Sequence, residues 1–85
     1  MKLPVIKHAN KFIEENGPDA VEQAISLIEH MSDHRSVKDD ELNLMGELIS
    51  NLYGAIEVNK MIQDGQSEKD ALNAFMQRVL GSIDQ

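Results

Sequence analysis

His30 and His34 stand four residues apart, one turn of a helix, with Glu29 and Asp33 beside them. Imidazoles and carboxylates at that spacing can share a metal ion if a further ligand arrives from elsewhere in the fold. The pair lacks the glutamate that makes HExxH a zinc hydrolase, and imidazoles near a helix C-terminus are favoured by the helix dipole without any metal. The remaining histidine, His8, reads as a helix-surface residue. None of the three histidines follows a Glu by three residues, so the Glu-x-x-His pairs of a di-iron carboxylate bundle are missing. Glu47 and Glu57 lie about 80° apart around a helix at ~100° per residue, which does not make an acid/base pair. No phosphate-cradling glycine loop is present, and Asp64-Gly65-Gln66-Ser67 lacks the ligand pattern of a calcium loop. With no cysteine, thiol nucleophiles, disulfides, CxxC redox chemistry and thiolate metal sites are all excluded. No catalytic, metal or cofactor set emerges, and the chain is expected not to be an enzyme.

Composition narrows the partners. The 85 residues carry a formal charge of −7, unevenly spread: residues 1–17 sum to +1, residues 18–47 to −6 and residues 48–85 to −2. An acidic middle repels phosphate backbones, and the only aromatics are Phe12, Tyr53 and Phe75, so nucleic-acid binding is not expected. The same segment can steer association with a more basic protein. The apolar run Leu3–Ile6 is broken by Pro4 and is too short for a signal-peptide core, and no stretch reaches the ~20 apolar residues of a membrane span. A soluble, cytoplasmic location is expected. With 41% hydrophobic and 27% charged residues the chain should fold as one small domain, residues 1–85, on a single core.

Helical periodicity accounts for nearly every apolar residue, so an all-α, compact bundle of four helices is expected. The first runs from about Pro4 to Glu15, with Val5, Ala9, Phe12 and Ile13 as its stripe and Asn16-Gly17 as its stop. Pro18 opens the second, whose apolar face is Val21, Ala24, Ile25, Ile28 and Met31, widened by Ala20 and Leu27, and which frays near Ser32–His34. Ser36 to Asp39 reads as a capping-box variant starting a long third helix, from about Lys38 to Gln63, which Asp64-Gly65 closes. Ser67 to Asp70 repeats the capping pattern and starts the fourth, with Leu72, Phe75, Met76 and Val79 on one stripe, Ile83 following it, and Gly81 as its end.

The third helix is read as central, because Leu44, Met45, Leu48, Ile49, Leu52, Tyr53, Ala55, Ile56 and Ile62 cover roughly half its circumference. Three short neighbours cannot cover that arc, so part of it should stay exposed in a monomer. Asn59 projects into the arc, where backbone carbonyls are its expected partners. Gly46, Ser50 and Gly54 recur every four residues, with Val58 and Met61 continuing near the row. Two glycines inside a helix cost ~2 kcal/mol relative to alanine, and a close helix crossing would offset that. The crossing is either a seam between two chains or close packing against the chain's own helices.

The stretches Met1-Lys2-Leu3-Pro4-Val5-Ile6-Lys7-His8, Glu47 to Val58, and Asp70-Ala71-Leu72-Asn73 through Phe75-Met76 to Arg78-Val79-Leu80-Gly81-Ser82-Ile83 resemble a family of short, uncharacterised, all-helical proteins from Bacteroidetes-type bacteria. The resemblance spans most of the chain and is weakest from Asp33 to Asp40. That family has no assigned activity, so no catalytic residue carries over. The resemblance implies an accessory place beside thioredoxin-like and peroxiredoxin partners.

These readings converge on a non-enzymatic protein-interaction module, a homodimer that also engages an unidentified protein. Its interface candidates are Gly46, Ser50, Gly54, Val58 and Met61 on the third helix, with Phe75 and Met76 of the fourth near the axis. The alternative is a small-ligand or metal-binding helical bundle.

Overall fold

Local punctuation sets the four helices. Pro4 stands in the first turn of α1 (Leu3–Asn16), where its missing N–H removes no hydrogen bond. Gly17 alone joins α1 to α2 (Pro18–Ser32): its N–H donates to the Ile13 carbonyl at 2.7 Å, and its φ of 87° turns the chain in a conformation that costs glycine little. After the linker comes α3 (Asp39–Gln63), ended by a Schellman motif in which Gly65, at φ 110°, donates to Ile62 and Gln66 donates to Met61. Ser67 caps α4 (Glu68–Ile83), its Oγ accepting from the Asp70 N–H at 3.1 Å. The computed structural model describes residues 2–83, and side chains through residue 80. The side chain of Ile83 therefore lies outside the described part.

Two expected boundaries shift. Gly81 does not end α4, which continues to Ile83. A mid-helix glycine costs only about 1 kcal/mol, which the helix tolerates. Ser36 does not cap α3, because its hydroxyl is engaged by His34 Nδ1 at 2.7 Å. The helix starts instead at Asp39, where Glu41 Oε1 accepts the Lys38 N–H at 2.9 Å and supplies the acidic half of a capping box.

α3 is the longest helix and packs against each of the other three, whereas among the described residues α2 and α4 make no close approach to one another. The molecule is accordingly flat, 43 × 34 × 17 Å. α1 runs parallel to α3: Lys2 meets Asn51, Ile6 meets Gly54 and Asn10 meets Asn59, stepping in the same direction along both. The core comprises Ile6, Ile13, Val21, Ile25, Ala55, Ile56, Val58, Ala71 and Phe75, with Ile49, Leu52, Met61 and Val79 among those packed against it.

The buried stripe of α1 is Ile6, Asn10 and Ile13, so Val5 and Phe12, expected inside, are exposed. The stripe is rotated because Asn10, a polar residue, takes a core position. Leu27 and Met31 of α2 are likewise exposed, leaving Val21 and Ile25 as its buried contacts.

Candidate interaction surface on the third helix

At 3- and 4-residue spacing, Leu44, Leu48, Asn51, Ala55, Val58 and Ile62 form one continuous seam along α3. α1 fills the C-terminal part of it. The backbone N–H of Lys2 donates to Asn51 Oδ1 at 3.1 Å, which pins the start of α1 level with Asn51. Residues 39–50, about 18 Å of helix at 1.5 Å per residue, therefore extend beyond the end of α1. All six buried residues of α3 lie from Asn51 onward, and none lies in the overhang. There the seam is bare: Leu44 is 57% and Leu48 44% exposed. Leu42 is exposed as well, while Met45 and Ile49, further round the helix, are half-buried.

The small-residue row divides at this boundary. A Cβ at Gly54 would stand 3.0 Å from both Ile6 Cδ1 and Phe75 Cζ, so Gly54 admits α1 and α4 of its own chain. Around Gly46 the same construction meets nothing within 4 Å, and Ser50 is exposed. Val58 and Phe75 are buried in the chain's own core, while Met61 and Met76 are half-buried. Of the seven expected interface residues, Gly54, Val58 and Phe75 are thus consumed by internal packing, and Gly46 and Ser50 remain open. Leu44 and Leu48 belong to the apolar arc expected from the sequence, and they are part of its exposed portion. Their signal lay in the expectation that part of the arc stays uncovered.

The polar groups divide just as sharply. The buried polar residues among those described are Asn10, Asn51 and Asn59, none of them titratable. Asn59 Nδ2 finds Asn10 Oδ1 rather than a backbone carbonyl. His34 Nδ1 accepts from the Ser36 N–H at 3.2 Å as well as engaging its hydroxyl, which ties the pair into the α2–α3 linker. Among the described residues no group of three His, Cys, Asp or Glu side chains comes together as metal ligands. Glu57 pairs with Arg78 at 3.0 Å and Lys7 with Glu68 at 3.7 Å, both at the surface, where such pairs contribute little. Arg78 also lies 5.8 Å from the Phe75 ring centroid, closing the outer side of the Gly54 contact.

The model of DUF6952, a family of unknown function, matches residues 1–84. The chain belongs to that family. The match takes in the overhang of α3 as well as the packed half, so the bare seam lies inside the DUF6952 region and is not an appendage to it. No curated protein and no solved structure matches the chain. No helix of the described residues is long and apolar enough to cross a membrane.

Proposed function

We propose that this DUF6952 protein is a non-enzymatic protein-interaction module that works as a homodimer in the cytoplasm through the N-terminal half of α3. One observation carries the reading: the seam that α1 fills from Asn51 onward continues, still apolar, to Leu48 and Leu44, where the chain offers no helix to cover it. Small domains often complete a marginal core by association, and a two-fold contact is the commonest form. Among the described residues every ionisable side chain lies outside the buried class and only asparagines are buried polar residues, which supports a binding role over a catalytic one. The accessory place beside thioredoxin-like or peroxiredoxin proteins rests on the family resemblance, and a cysteine-free chain would serve there by contact rather than by thiol exchange.

Sedimentation over a concentration series from about 1 μM to 1 mM, the range of modest interfaces, tests the dimer. The wild-type chain should associate. Leu44→Ser with Leu48→Ser should remain monomeric with an unchanged helical signal, because neither side chain supports the core. A wild-type chain that stays monomeric throughout would overturn the reading.

A further inference from the structure

The homodimer reading leaves open how two overhangs meet, and the distribution of charge along the bare seam decides it. At 100° per residue Asp40 and Glu41 fall on either side of the Leu44–Leu48 line at the outer end of α3. At the inner end stands Lys2, held level with Asn51 by its backbone and lining, with Gly46, Glu47, Ser50 and Asn51, an open groove of about 410 Å³. Neither Lys2 nor Asp40 nor Glu41 enters an ion pair among the described residues. The two ends of the seam thus carry side chains of opposite charge some 15 Å apart, with the exposed leucines midway; Asp40 and Glu41 each also accept a backbone N–H at the start of α3, and Glu47 shares the groove with Lys2.

We infer that a second copy of this chain covers the bare seam in antiparallel orientation, with Asp40 and Glu41 of each copy set against Lys2 of the other. A two-fold axis between Leu44 and Leu48 brings Leu44 of one copy opposite Leu48 of its partner. The same operation carries Asp40 and Glu41 to the level of Leu52 and Asn51, which is the level of Lys2. One rotation thus pairs the leucines and sets Asp40 and Glu41 level with Lys2. A parallel pairing would instead set the first-turn acids of α3 against their own copies, a like-charge contact that costs affinity. In this arrangement α3 of the partner continues, on the bare half of the seam, the role that α1 plays on the other half.

This inference rests on the homodimer proposed above, and charge exchange separates the two. Lys2→Glu and Asp40→Lys both alter exposed side chains, and the backbone bond from Lys2 to Asn51 survives the first. In a homodimer of Lys2→Glu the two symmetry-related contacts become repulsive, and in one of Asp40→Lys, where Glu41 remains, they lose their net attraction, so self-association should weaken by about 5- to 30-fold in the first and by less in the second. Mixing the two variants leaves one contact as in wild type and sets the introduced acid against the introduced base in the other, so the repulsion is relieved. The heterodimer should form with an affinity within about 3-fold of wild type, measured by sedimentation at about 0.1 M salt, where the Debye length is about 10 Å. An ion pair within one chain would not be restored by mixing. Variants that self-associate as well as wild type, or that mixing fails to rescue, overturn the antiparallel pairing while the wild-type dimer still stands. A monomeric wild type removes both.

Discussion

Asn59 Nδ2 donates to Asn10 Oδ1 at 3.0 Å across the α1–α3 contact, and both side chains are buried. Asn10 Nδ2 has no hydrogen-bond partner among the described residues, so this one bond joins the two core amides. A polar pair inside a small apolar interface favours one register, because sliding α1 by a turn would strand both amides.

Replacing Asn59 by Ala strands the Asn10 carbonyl as well as its amide, and should cost about 1–3 kcal/mol in urea unfolding followed by circular dichroism. Changing both Asn10 and Asn59 to Leu removes the unsatisfied groups together. That double variant should lie within about 1 kcal/mol of wild type or above it, and a loss as large as the single variant's would show that the pair is not coupled.

At Gly54 even a methyl group meets Ile6 and Phe75 at 3.0 Å. Gly54→Ala should therefore change stability through overpacking, by about 1–3 kcal/mol, despite the better helix propensity of alanine. Gly46→Ala, with open space around it, should gain up to about 1 kcal/mol. Two glycines two steps apart in the same row would then differ in sign, readable from the melting curves.

Ser67→Ala removes the acceptor for the Asp70 N–H and should destabilise the chain by about 1 kcal/mol. Ser36→Ala, at the residue that resembles a cap in sequence, should leave the start of α3 intact, since Glu41 holds the Lys38 N–H. Comparable losses in the two variants would contradict the assignment of the caps.

His30 and His34 lie at an exposed helix end, and replacing both with Gln should move stability by no more than about 0.5 kcal/mol. Purified wild-type protein should carry metal at the level of that variant when both are assayed by mass spectrometry. Stoichiometric zinc or nickel lost in the variant would favour the metal-binding alternative.

The four helices were legible because their ends are written locally. Pro4, the Gly17-Pro18 junction, Asp64-Gly65 and Ser67 act within a turn of where they stand. Helix faces were less legible, since a rotation of 100° exchanges one residue for its neighbour and the choice depends on what packs there. Ile6 and Asn10 lie inside while Val5 and Phe12 lie outside, a choice made by Gly54 and Asn59 almost fifty residues away. The small-residue row was visible as a spacing, but which of its members admits a helix follows from where α1 begins. That position is marked by two bonds between distant residues, Lys2 to Asn51 and Asn59 to Asn10.

The Lys2–Asn51 bond also divides α3 kinetically. Amides after Asn51 belong to a helix clamped on three sides, and they open to solvent only when the fold does. Amides before it lie in a stretch with no buried residue and with only Met45 and Ile49 half-buried, and a helix of about twelve residues with so little packing is marginal in water. Deuterium uptake along this single uninterrupted helix should therefore change abruptly near residue 51. Its first half would fray and reform many times during one unfolding event of the second, and would slow only when another surface closes over Leu44 and Leu48.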